Sequence, residues 1–211
     1  MRAAASGRAE EKRLLLLKAA FREVAEKGSC RVTLEDIARR SAVSKGVTLY
    51  YFASKEDLFR QLFLWLTDAI VARMREAVAS ASDPVEKIRA LVAITFPSPA
   101  RNRAFFRAYI DFCGLAARND SFRQTGERFY AECREVDQGI ILDGIRQGVF
   151  RVRDAGDAAS TLRAIFDGLM LQWLAERDPD TAFSIYRERC ELELFSYLLG
   201  PEKDRDRIRR R

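Results

Sequence analysis

The feature that most constrains this chain is a spacing. Apolar residues recur three and four positions apart along nearly all of its 211 residues, no convincing stretch alternates with a period of two, and only five prolines interrupt the pattern. That spacing matches the helical repeat and not the strand repeat, so an all-α protein is predicted. Helices are expected at about Glu10 to Lys27, from Thr33 through Arg40, from Ser44 to about Tyr51, and from Ser54 to about Ala79. Five more follow at about Pro84 to Phe96, Ala104 to Ala117, Ser121 to Gln147, Asp157 to Ala175 and Thr181 to Leu199. The breaks lie at Gly28, at the PSPA segment (97–100), near Gly148 and at RDPD (177–180), where Gly caps a helix end and Pro stops one.

Composition narrows the function classes. A hydrophobic content of 48% supports one large core, or a small module joined to a larger one. The N-terminal stretch is charged, and its apolar run Leu14 to Leu17 is too short for a signal-peptide core or a membrane span, so a cytosolic protein without membrane contact is expected. Cys30, Cys113, Cys133 and Cys190 stand far apart with no C-x-x-C pair and no histidine anywhere, which points to reduced thiols and to no metal or cofactor. Without histidine the commonest general base is missing, and an enzyme is disfavoured.

Charge is uneven. Residues 1–52 hold eleven Lys/Arg against six Asp/Glu, residues 53–200 hold twenty against twenty-two, and residues 201–211 hold six against three. A basic N-terminal module on a nearly neutral body suits a polyanion held by one part of the molecule, although a merely solvated basic face would give the same count. The last stretch reads as a basic, disordered tail.

The most informative segment is Thr33 to Phe52. Thr33 with Asp36 forms a capping-box pattern, Ser41 to Val43 leave room only for a tight turn, and Ser44 caps a second short helix. That second helix carries Gly46, Val47 and Thr48, which are poor helix formers. Two short helices joined by such a turn form a helix-turn-helix, whose second helix enters the DNA major groove. There Ser44 and Lys45 reach phosphates and base edges, Gly46 lets the backbone approach a phosphate, and Thr48 offers a methyl to thymine and a hydroxyl to a base edge. Tyr50 and Tyr51 give hydroxyls to phosphates. A helical hairpin whose aromatics are all core is the alternative; it accounts for Phe52 and one tyrosine but leaves Lys45, Gly46 and Thr48 unexplained.

The stretch from Leu14 to Leu58, with KAAFREVAEKG, VTLEDIARRSAVSKG, YYF and SKEDLF, closely resembles the DNA-binding module of the TetR family of bacterial transcriptional regulators. The resemblance implies a three-helix DNA-binding domain (1–53), a fourth helix linking it to a ligand-binding and dimerisation domain (54–200), and release from DNA when a small molecule binds. It places Thr33, Ser44, Lys45, Gly46, Tyr50, Tyr51 and Lys55 at DNA. Two positions depart from the family: Ala42 replaces the usual turn glycine, and Leu49 stands where an aromatic is usual.

In the body, aromatics and sulfur-bearing residues gather on helical faces, and Phe105, Tyr109, Phe112, Phe129, Cys133, Phe166, Met170 and Trp173 are the candidates to line a largely apolar effector pocket. An ordinary solid core is the competing reading. Asp111, Glu132 and Asp137 beside these faces read as surface acids, with contact to a cationic ligand as the alternative. The last two helices carry Leu162, Ile165, Leu169 and Trp173, then Ile185, Cys190, Leu194, Tyr197 and Leu198, more apolar surface than one domain needs. The family resemblance implies that they pair with a second copy, giving a homodimer on a palindromic operator in double-stranded DNA. A DNA-binding protein with no small-molecule ligand, structural or controlled by a protein partner, is the alternative.

Overall fold

The computed structural model describes residues 2–200, so the basic tail expected at 201–211 lies outside the described residues. Those residues form only helices: α1 (Arg2–Lys27), α2 (Leu34–Arg40), α3 (Lys45–Tyr51), α4 (Lys55–Ser80), α5 (Pro84–Thr95), α6 (Pro99–Ala116), α7 (Asp120–Arg146), α8 (Ala155–Leu174) and α9 (Pro179–Leu199). The all-α expectation holds. Element starts differ most: α1 begins at Arg2 and not Glu10, and α6 begins at Pro99 and not Ala104. Pro99 opens α6 where a helix break is expected, because at the first helical position proline's missing N–H costs nothing and its fixed φ suits the helix. The same reason starts α9 at Pro179, with the Asp178 side chain capping Thr181 N–H.

Contacts group the chain into two compact units. One comprises Met1–Asp68 with Arg103–Glu127, the other Ala69–Asn102 with Arg128–Arg211. The first is built on Leu16, Leu17, Ala20 and Val24 of α1, Ile37 of α2, Phe52, and Leu58, Leu62 and Phe63 of α4, all nearly or fully inaccessible to solvent. Its second layer is aromatic: Phe112 stacks on Phe63 at 5.1 Å and on Phe122 at 6.2 Å. Offset stacking of this kind adds about 0.5–1.5 kcal/mol per pair beyond burial.

The second unit packs α8 against α9 through Leu162, Phe166, Leu169, Trp173, Cys190, Leu194 and Leu198. Helix α7 ends at Arg146, and just past it Gly148 turns the chain at φ 68°, a left-handed conformation that favours glycine. The returning chain lays Phe150 onto Gly144 so closely that an added Cβ there would sit 2.0 Å from the ring. Trp173 donates its indole N–H to the Pro179 carbonyl at 2.6 Å and closes the α8–α9 turn.

Candidate nucleic-acid interface

The turn between α2 and α3 is a helix C-cap built on an unusual residue. Val43 N–H donates to Ala38 C=O at 3.0 Å and Ala42 N–H to Arg39 C=O at 3.2 Å, the paired bonds of a Schellman motif. The left-handed position belongs to Ala42, with φ 53°, where glycine is the default. Ser41 is buried beneath it and donates its hydroxyl to Ile37 C=O at 2.7 Å. The departure at Ala42 is therefore absorbed as strained backbone, and the turn geometry is kept.

Both helix starts are capped as expected. Thr33 Oγ1 accepts Asp36 N–H at 3.1 Å while Asp36 Oδ2 accepts Thr33 N–H at 3.0 Å. These bonds from the Thr33 backbone and hydroxyl, with Lys27, hold the Asp36 carboxyl far below its ordinary range. Ser44 Oγ accepts Val47 N–H at 3.3 Å. Ser44, Lys45 and Gly46 are all exposed, and Lys45 pairs with Glu35 across the surface. Such exposed pairs are weak and screened by solvent, so a phosphate can take the ammonium over. An added Cβ at Gly46 would meet nothing closer than Ser44 Oγ at 3.7 Å, an ordinary contact. The protein's own packing gives no reason for that glycine.

Tyr50 is 83% exposed and Tyr51 half-buried, with their rings edge to face at 5.1 Å. Lys55 lies half-buried at the start of α4 with its ammonium 5.2 Å from the centre of the Phe59 ring. Thr48 requires a correction. Its side chain is wholly buried, so from this conformation neither its methyl nor its hydroxyl reaches a base edge. The outward position next to it belongs to Leu49, 43% exposed. In a two-turn helix capped at Ser44, inward positions follow the spacing of Phe52 and Thr48, which a residue-type reading of Thr48 overlooked.

A feature not read from the sequence lies beside α3. Arg8, Glu11, Lys12 and Leu15 of α1 face Tyr50 and Tyr51 across an open groove. The available signal was the i, i+4 spacing of the two cations, which puts them on one face.

The eight candidate effector residues divide between the two units. Phe105, Tyr109 and Phe112 belong to the first, where Phe105 stacks on Tyr109 at 5.7 Å and Phe112 sits between two other rings. Phe129, Cys133, Phe166, Met170 and Trp173 belong to the second and are all buried. Around them stand polar groups the sequence did not foretell. Asp137, expected at the surface, is fully buried and held by Arg163, with an ion-pair contact of Nε to Oδ2 at 2.5 Å and a hydrogen bond donated by Nη2 to Oδ1 at 3.1 Å. Burial raises its carboxyl to about 6 against the pull of Arg163. Tyr130 donates to Asp167 at 2.5 Å, and burial raises the Asp167 carboxyl despite that bond. Burial also drives Cys133 and Cys190 up to about 12, so both are inert thiols. Asp111, another expected surface acid, is half-buried and accepts the Ser29 N–H.

Of the apolar set expected to face a partner, Leu162, Leu169, Trp173, Cys190, Leu194 and Leu198 are consumed by the chain's own core. The apolar residues that α8 and α9 leave outward are Leu171, Ile185, Leu192 and Tyr197, exposed by 51%, 62%, 53% and 38%.

The tetR family of bacterial regulatory proteins matches residues 16–62, and the C-terminal domain of BetI-type transcriptional repressors matches residues 84–193, more than half the chain. The chain belongs to the TetR family. It is a helix-turn-helix transcriptional regulator of the repressor type, and its relatives are regulators and not enzymes. The repressor KstR2 of Mycobacterium tuberculosis is 28% identical over 146 residues, covering 69% of this chain and 72% of that one. The regulator BetI of Brucella suis is 28% identical over 171 residues, covering 81% and 84%. Among solved structures, a transcriptional regulator from Saccharomonospora viridis in complex with choline aligns with a TM-score of 0.83 at 24% identity, covering 91% of this chain and all of that one. A TetR regulator from Haloarcula marismortui aligns at 0.79 with 21% identity, covering 90% and 97%. No helix among the described residues is long and apolar enough to cross a membrane.

Proposed function

We propose that this TetR regulator is a cytoplasmic homodimer that represses by seating α3 of each copy in successive major grooves of a palindromic operator. The observation that carries the reading is Gly46: an exposed glycine in a helix, with room for a Cβ whose nearest contact would be an ordinary 3.7 Å to Ser44 Oγ, and with Ser44 and Lys45 exposed just before it. Such a position costs helix stability without serving the fold, and close approach of a phosphate gives it a use. Thr33, Ser44, Lys45, Gly46, Tyr50, Tyr51 and Lys55 make up the contact set, and Thr48 leaves it. The copies join through α8 and α9, where Leu171, Ile185 and Leu192 are large apolar residues left exposed.

Selection of random duplex DNA by the purified protein tests this. At about 150 mM salt, phosphate-only binding is weak, so enrichment reports base reading. A palindrome with half-sites about 34–36 Å apart, or a multiple, is expected. Enrichment of no sequence, in a protein that sediments as a monomer, would overturn the reading.

The effector is a small organic molecule taken by the second unit near Phe129, Cys133, Phe166 and Met170. Trp173 serves the α8–α9 turn instead, since its N–H is committed to Pro179. The partly buried Asp167 carboxylate with Tyr130, among aromatic rings, suits a cationic head group. The choline-bound S. viridis regulator supports a quaternary ammonium as the first probe. Choline should raise the melting temperature and release DNA, and its neutral carbon isostere dimethylbutanol should do so less. Equal effects of the two would assign the site to apolar ligands.

A further inference from the structure

We infer that the groove between α1 and α3 holds a strand of the DNA sugar-phosphate backbone, so that Arg8 and Lys12 extend the anion contacts beyond the helix-turn-helix. The inference rests on the DNA reading above and adds a second helix to it.

Two walls define the groove. On α1, Arg8 and Lys12 are exposed one turn apart, and among the described residues neither has an ion-pair partner. Their neighbour Arg13 is spent differently: it bonds Gln61, pairs with Glu10 at 3.5 Å and lies 5.8 Å from the centre of the Phe52 ring. On the other wall stands Tyr50, 83% exposed, braced edge-on by Tyr51. Leu15, 42% exposed, supplies an apolar lining. An arginine and a lysine, two phenols and an aliphatic surface match an alternation of phosphate and deoxyribose: cations and hydroxyls take phosphate oxygens, and apolar carbons lie against the sugar. Glu11 is the one acid among the lining residues, leaving one net positive charge.

Continuity fixes the occupant. Tyr50 and Tyr51 belong to the same two-turn helix as Lys45 and Gly46, so a duplex seated on α3 has its flanking backbone beside them. A membrane surface would ask for a broad apolar face, and a single half-exposed leucine does not make one.

Salt dependence of binding to a mixed-sequence duplex tests the inference, because phosphate contacts do not depend on sequence. Arg8→Ala and Lys12→Ala should each reduce the slope of log K against log salt by about 0.9. Lys18→Ala is the control: exposed on the same helix and away from the groove, it removes equal charge but no contact. Glu11→Gln should tighten binding. If Arg8→Ala and Lys12→Ala reduce the slope no more than Lys18→Ala does, the groove carries no backbone and the inference falls. Lys45→Ala in the same series separates the two failures, since a loss there with no loss at the groove leaves the helix-turn-helix reading standing. No loss at either overturns both.

Discussion

The Asp111 carboxylate accepts the backbone N–H of Ser29 at 2.5 Å, across 82 residues of sequence. It ties α6 to the loop that follows α1, where Gly28 turns the chain at φ 80° and an added Cβ would come within 3.4 Å of the same carboxylate oxygen. The loop carries a backbone donor at a helix end, and the acid satisfies it. Asp111→Ala should cost about 1–3 kcal/mol, the range for losing a charged acceptor from a partly buried donor. Asp111→Asn, which keeps an acceptor oxygen, should cost less. Thermal unfolding of the pair checks this, and equal melting temperatures for wild type and Asp111→Ala would remove Asp111 as a tether.

Ala42 offers a gain. A non-glycine residue held in the left-handed region stores about 1–2 kcal/mol, while glycine costs roughly 0.5–1 kcal/mol of extra unfolded-state freedom. With Ala42 at φ 53°, Ala42→Gly should therefore be neutral to stabilising by up to about 1 kcal/mol. Denaturant unfolding measures it, and a clear destabilisation would mean the turn does not hold that geometry.

How much could be read in advance is seen at individual residues. Thr33, Ser44 and Asp36 were legible because capping works through side chains three residues apart, a purely local rule. The inward face of α3 was less so, since Thr48 is amphipathic and only the position of Phe52 relative to the core decides which way it turns. Asp137 was illegible: its partner Arg163 lies 26 residues away, and nothing local distinguishes an acid that will meet an arginine inside from one on the surface. The same holds for the Tyr130–Asp167 bond and for the division of the aromatics between two units.

Gly46 and Thr48, two residues apart, should respond oppositely. Gly46→Ala has room for its Cβ and gains helix propensity, so the protein should become more stable by up to about 1 kcal/mol while losing DNA affinity. Thr48 is buried with a hydroxyl that finds no hydrogen-bond partner. Thr48→Val removes that cost at nearly constant shape and should stabilise by about 1 kcal/mol, leaving sequence preference unchanged. Melting curves and binding to the selected duplex distinguish the two. A Gly46→Ala protein that binds as tightly as wild type would deprive the glycine of its role at DNA.

Glu23 links stability to pH. It is 4% exposed on α1, with Lys27 at 2.6 Å and Arg40 of α2 at 2.5 Å. Burial by itself raises the Glu23 carboxyl, but the hydrogen bonds from Lys27 and Arg40 outweigh it and leave the pKa below its ordinary value. A carboxylate whose folded pKa is depressed stabilises the fold above its unfolded pKa of about 4.3, and that contribution disappears as pH falls through the lower folded value. Glu23→Gln should therefore destabilise at pH 7 by about 1.5–3 kcal/mol, the worth of hydrogen bonds to charged groups. The difference from wild type should shrink as pH falls below the unfolded pKa of about 4.3, and close once pH drops beneath the lower folded value, where the native carboxylate also becomes neutral. Lys27 and Arg40 keep Asp36 and Glu26 as partners, so the loss falls short of stranding two buried cations. Urea unfolding of both proteins from pH 7 down to acid reads the difference directly, and a gap that stays constant with pH would show that Glu23 acts through shape and not through charge.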